Sequence, residues 1–168
     1  MRAAPGIVLI CLLSPSLPGG RVASIAQSIS DAYIDNAGYA HIVRGDGKDI
    51  QIAAEKGQVS AASPAVGPDH RTAGWLVKVP NCCTSYPVAT TLVIYASGRV
   101  VQRIADGMMI YKWVFVDGGR RLAVSTGTVH GMTRAHLTLY DAQTAKPLST
   151  WDGAEGEAPP EWGTRLVH

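Results

Sequence analysis

The 168 residues carry 46% hydrophobic and 17% charged side chains, a balance that fits one compact domain and excludes a disordered chain. Eighteen glycines, ten prolines and a single phenylalanine, Phe115, describe a turn-rich chain poor in large core aromatics, which suits short strands better than long helices. The formal charge is only +2 and no basic cluster exceeds Arg120-Arg121, which argues against a nucleic-acid partner and against a role on anionic membrane surfaces.

At the N-terminus, Met1-Arg2 precedes an apolar run from Ile7 to Leu13 and then small, turn-forming residues from Ser14 to Gly20, the pattern of an export signal. A spanning helix needs about 20 apolar residues, and Pro15, Pro18, Gly19 and Gly20 interrupt the run before that. Small residues at Ser24 and Ala26 suit cleavage before Gln27, with cleavage after Ser24 as the second choice, so residues 1–26 are expected to be a signal peptide that takes Cys11 with it. Its loss removes Arg2 and Arg21 and no acid, leaving 13 basic and 13 acidic residues. The expected protein is exported, periplasmic or secreted, with no membrane span after cleavage.

Residues 28–34 read equally as a helical turn or an edge strand. Tyr39–Val43 and Asp49–Ala53 then flank Arg44-Gly45-Asp46-Gly47-Lys48, whose glycines supply the positive φ of a tight hairpin. Turn chemistry accounts for the Arg-Gly-Asp triplet without a receptor.

Residues 58–104 can be laid over 108–151 as an internal repeat. Ala65 to Trp75 and Val114 to Val124 each read as strand, turn, strand at an offset of 49. Leu92-Val93-Ile94-Tyr95 with Val100–Ile104 matches Leu137-Thr138-Leu139-Tyr140 with Leu148–Trp151, starting at an offset of 45, and the difference falls in a connecting loop where an indel is least disruptive. Four short strands in about 45 residues is the period of a propeller blade.

Gly67-Pro68-Asp69-His70-Arg71 and Asp141-Ala142-Gln143-Thr144-Ala145-Lys146 resemble the two hairpin turns of TolB-type and related WD-repeat-like β-propellers, a Pro-Asp-Gly turn and an Asp-x-x-Thr-Gly-Lys turn. His70 and Ala145 stand where that repeat prefers glycine, and Asp117-Gly118 has lost the Pro-Asp pair. The resemblance covers residues 58–151 and implies an all-β fold of antiparallel, radially stacked blades presenting a binding surface. Propellers close with four or more blades, and this chain holds two four-stranded repeats plus a partial third, too few for a ring. Exposed end sheets invite aggregation. The expected remedy is a compact monomer in which the N-terminal segment and a tail from Trp162 to Val167 cover the ends, with a homodimer as the alternative. The domain plan is therefore a signal peptide at 1–26, a β-repeat domain at 27–151, and a linker and tail at 152–168.

The loops joining the two hairpins of each copy, Pro80–Pro87 and Thr126–Thr133, are expected to emerge side by side on one rim, where loops on a rigid scaffold carry binding groups. They hold the candidate site residues Cys82, Cys83, Tyr86, His130 and Met132. Adjacent cysteines cannot join distant strands, because their Cα atoms lie about 3.8 Å apart, below the usual disulfide span. They are left as a vicinal disulfide, two thiols or an intermolecular bridge. With His130 and Met132 they also make the thiolate, imidazole and thioether set that suits copper(I), although the two-residue spacer of familiar Cys-x-x-Cys sites is missing.

Nucleophile-elbow, zinc-helix, phosphate-loop and dinucleotide motifs are all missing, and most of the aspartates sit at turns. His41 and His168 carry no further signal, and His130 and His136 are not spaced as a zinc pair. Trp75, Trp113 and Trp151 read as core, while Trp162 docks the tail. The expected function is a non-enzymatic binding module, without cofactor, for an unidentified protein or small ligand. A copper-binding or redox protein using Cys82, Cys83, His130 and Met132 is the alternative, and a hydrolase the third.

Overall fold

The computed structural model describes residues 28–130, 134, 136–153 and 156–167. The expected signal peptide and Met132 lie outside the described residues. The described residues are all-β and antiparallel, in three open sheets of three, four and four strands, none closed into a barrel or propeller.

Strands β1 (Ile29–Ile34), β2 (Ala40–Arg44) and β3 (Asp49–Gln51) form an N-terminal sheet in chain order. The stretch 28–34, open between helix and strand in the sequence, is thus strand from Ile29 to Ile34, held by β2 on one side and by the Ile29 amide donating to the His70 carbonyl at 2.7 Å. The hairpin at Arg44–Lys48 forms as expected, closed by the Arg44 amide on the Lys48 carbonyl at 2.9 Å.

Strands β4 (Ser60–Val66), β5 (Thr72–Val79), β6 (Val88–Ala96) and β7 (Arg99–Ile104) make the first four-stranded meander. Strands β8 (Met109–Val116), β9 (Arg121–Gly127), β10 (His136–Asp141) and β11 (Pro147–Asp152) make the second. Their registers reproduce the offsets read from the sequence. Thr72 pairs with Ala96 and Ala73 with Tyr95, just as Arg121 pairs with Asp141 and Leu122 with Tyr140. A bulge breaks the register between Ile94 and Tyr95, and another sits at the equivalent Leu139 and Tyr140.

The sheets stack face to face, and the two-residue period of each strand decides what each interface contains. In β5, Ala73, Trp75 and Val77 face the N-terminal sheet, where they bury Ile29, Ala40 and Ile42 together with Val93 and Tyr95. Leu76 points the other way, packing with Leu92 and Ile94 against Trp113, Phe115, Leu122 and Val124 of the second repeat. Each large aliphatic side chain buried this way contributes about 1.5–3 kcal/mol relative to leaving it in water. Gly74 is required at this interface. A Cβ there would sit 2.8 Å from the Trp113 ring and 2.9 Å from Ile94 Cδ1, so only glycine lets the indole lie against the β5 backbone. The indole N–H crosses to the Ser63 carbonyl at 3.1 Å.

The expected tail covers the C-terminal end of the stack. A 3-10 helix at Glu161–Leu166 places Leu166 and Trp162 on Ala123, Leu137, Leu139 and Trp151 of the second repeat. The outer face of the N-terminal sheet instead carries Tyr33, His41 and Asp49, joined by hydrogen bonds. Among the described residues, no helix is long and apolar enough to cross a membrane.

Candidate functional site

In each meander the two hairpin turns leave from one end of the sheet and the connection between hairpins leaves from the other. The turn ends of the two repeats are neighbours. A Cβ on Gly119, in the 3-10 turn Asp117–Gly119 between β8 and β9, would lie 3.5 Å from Pro68 Cδ in the β4–β5 turn. Between them opens a cleft of about 770 Å³, within the range of small-molecule sites. Its walls come from four turns, with Asp69 and Arg71 from β4–β5, Ser97 and Arg99 from β6–β7, Arg120 from β8–β9, and Gln143 from β10–β11.

Local chemistry makes these turns rigid. The Asp69 Oδ1 accepts from the Arg71 amide at 3.0 Å, the Thr72 amide at 3.1 Å and the Thr72 hydroxyl at 2.9 Å. Asp141 repeats the pattern, accepting from the Gln143 amide at 3.1 Å and from the Thr144 amide and hydroxyl at 2.8 Å each. Each turn is therefore an Asp-x-x-Thr unit whose carboxylate stands in for a missing strand partner. The Thr144 hydroxyl and amide hold the Asp141 carboxyl below its usual range. His70 and Ala145, the positions where the resembling repeat prefers glycine, adopt φ of 53° and 56°, so the left-handed backbone is kept without the glycine. Ser97 and Gly98, at φ 53° and 81°, make the two-residue turn with both central residues left-handed that matches strand twist.

The cleft exists because its mouth is lined with small residues. Ala96 on the first repeat and Ala142 on the second stand where the interior between the sheets meets solvent, while Ile94 and Tyr140 fill the space two residues further in. Gln102 spans the gap, donating from Nε2 to the Gln143 carbonyl at 2.8 Å, and the Ala142 amide bonds the Arg120 carbonyl at 3.0 Å. The first bond fixes the separation of the walls, and the second ties two turns of the second repeat together within one wall.

The residues singled out in the sequence lie elsewhere. Cys82, Cys83 and Tyr86 are exposed in the β5–β6 connection, and His130 is exposed in the β9–β10 connection, at the end of the sheets opposite the cleft. The two sulfur atoms are 2.8 Å apart. The Asn81 Oδ1 accepts from the Cys83 amide at 3.4 Å, and the Thr84 hydroxyl donates to the Tyr86 carbonyl at 2.6 Å, so this loop is held by its own residues. Among the described residues, no three His, Cys, Asp or Glu side chains gather as a metal site, so Cys82, Cys83 and His130 do not come together as one.

His41, which carried no signal in the sequence, sits in the densest polar cluster. Its Nδ1 meets Asp49 Oδ1 at 2.9 Å and the Tyr33 hydroxyl at 3.2 Å, its Nε2 meets Asp35 Oδ2 at 3.2 Å, and its ring stacks on Tyr33 at 4.7 Å. The Asp49 and Asp35 hydrogen bonds raise its pKa, Asp49 most, against an opposing effect of burial. Asp49, held chiefly by the Tyr33 hydroxyl and then by His41, and Asp35, held chiefly by the Tyr39 amide, are both pushed below the usual carboxylate range. Both ring nitrogens face carboxylates of the same cluster, an arrangement that ties β1, β2 and β3 together across the outer face.

No protein-family model and no curated protein matches this chain.

Proposed function

We propose that this chain is an exported, non-enzymatic β-repeat binding protein, related in design to TolB-type and WD-repeat-like blades, and that its ligand enters the cleft between the hairpin turns of the two repeats. The observation that carries the reading is a roughly 770 Å³ cleft assembled from four turns and fixed in width by the Gln102–Gln143 bond. Binding is favoured over hydrolysis by the state of its two acids. Asp69 and Asp141 each accept three hydrogen bonds on one oxygen from their own turn, and a carboxyl held as low as that of Asp141 is a weak general base.

The test is a thermal-shift screen of small polar compounds on the wild-type protein, the Ala96→Leu variant and the Cys82→Ser/Cys83→Ser double variant. Compounds that stabilise the wild type are expected to stabilise the cysteine variant equally and to lose their effect on Ala96→Leu, whose larger side chain fills the mouth. Stabilisation that survives Ala96→Leu and disappears with the cysteines would move the binding rim back to the β5–β6 connection.

A further inference from the structure

We propose that the cleft recognises a small organic anion, its carboxylate or phosphate group held by Arg71, Arg99 and Arg120. This rests on the cleft being the binding site and adds the chemistry of what fills it. Among the described residues, no carboxylate lies within ion-pair reach of any of these three guanidinium groups. Arg44, Arg103 and Arg121 on the same three sheets are each paired, at 2.7, 2.7 and 3.0 Å, with Asp46, Glu55 and Asp117. The arginines at the cleft thus differ from their neighbours in keeping planar, charged donors open to a ligand.

Convergence makes the arrangement more than a run of basic sequence. Arg71, Arg99 and Arg120 come from three different turns, and only the stacking of the repeats brings them to one cleft. Arg99 lies in a cross-strand row with Thr72 and Ala96, because Ala96 pairs with both, and directly opposed residues share a face of the sheet. Arg120 is oriented from the facing wall, where its Nε donates to the Asp117 carbonyl at 3.1 Å and its terminal nitrogens remain for an anion.

The remaining lining sets the class further. Asp69 and Asp141 stand beside the three arginines in the lining, and carboxyl groups placed there disfavour a bare polyanion. With Ser97 they provide acceptors and a donor suited to hydroxyl groups beside the anionic one. A sugar acid or a sugar phosphate has this chemistry, and the cleft volume suits one or two sugar units.

The experiment is NMR titration of the isotope-labelled protein at low ionic strength with D-glucuronate, glucose 6-phosphate and neutral glucose. Glucuronate or glucose 6-phosphate, or both, are expected to shift the amides of Arg71, Ser97 and Arg120 and to bind at least about tenfold more tightly than glucose. The stronger of the two anions tells carboxylate from phosphate. Arg71→Gln/Arg99→Gln is expected to weaken anion binding by about tenfold or more, whereas Arg165→Gln on the C-terminal 3-10 helix leaves it unchanged. Circular dichroism melts of each variant separate lost binding from lost fold. Glucose binding the cleft as well as the anions do would overturn the anion inference and leave the cleft as a binding site. Anion-dependent shifts scattered over the surface and equal in Ala96→Leu would overturn both, and no shift with any of the three compounds would overturn the anion inference.

Discussion

The two ends of the sheet stack solve the same problem with opposite chemistry. At the C-terminal end, Leu166 and Trp162 cover Leu137 and Leu139 with apolar surface, so the last repeat behaves as an interior sheet. At the N-terminal end the outer face of the sheet instead carries a hydrogen-bonded polar set of Tyr33, His41, Asp35 and Asp49. The lesson is physical. A stack can stop where a face becomes polar, or where a separate segment buries it, and the two stops should answer to different variables.

The largest effect is expected at the apolar end. Leu166 is 7% exposed, and Leu166→Ala should destabilise the protein by about 2–3 kcal/mol in urea unfolding, because it removes a buried side chain and uncovers Leu137. Increased binding of a hydrophobic dye and concentration-dependent self-association should accompany the loss. An unchanged unfolding midpoint would mean that the tail is not the cover it looks like.

The polar end should respond to pH and salt. His41 has a raised pKa in the fold, so its contribution is complete below the ordinary histidine value of 6.5 and is lost as pH rises through the raised one. Asp35 and Asp49 are lowered, so theirs is present above 3.8 and is lost as pH falls through the lowered values. The N-terminal sheet is therefore most stable between the two ranges. Amide exchange in β1–β3 should quicken on going from about pH 5.5 to about pH 8.5, after correction for the intrinsic rate, while the β9–β10 amides change little. Asp49→Asn should flatten that dependence, and added salt should weaken β1–β3 protection more than protection of the sheet beneath the tail.

The smallest effect provides a reference that belongs to neither end. Ala145→Gly relieves a left-handed alanine in the β10–β11 turn, and the relief outweighs the added freedom of the unfolded chain by about 0.5–1 kcal/mol. The melting temperature should rise with no change in the response to pH or salt.

Much of the β-repeat was legible because it is local. The short apolar runs Trp75-Leu76-Val77 and Leu122-Ala123-Val124, and the turn residues at 67–71 and 141–146, point to buried strands and hairpins from local sequence alone. Even the 49 and 45 offsets reappear as registers, since a one-residue slip would turn every buried side chain to the wrong face. The site was less legible. Sequence reasoning favoured the longer connections at Cys82-Cys83 and His130, whereas the concave feature lies at the short turns. The available hints were the two Asp-x-x-Thr turns and the small Ala96 and Ala142, which mean little until the sheets are stacked.

Residue pattern and turn chemistry alone therefore determined the class of the fold, the repeat and the pairing of strands within each sheet, because those depend on neighbours a few residues apart. Only the tertiary structure decided that Arg71, Arg99 and Arg120 share a cleft, that His41 lies between two carboxylates, and that each end of the stack is closed differently. Those outcomes depend on how whole sheets pack, and packing is set by shape and volume summed over residues that are far apart in the chain.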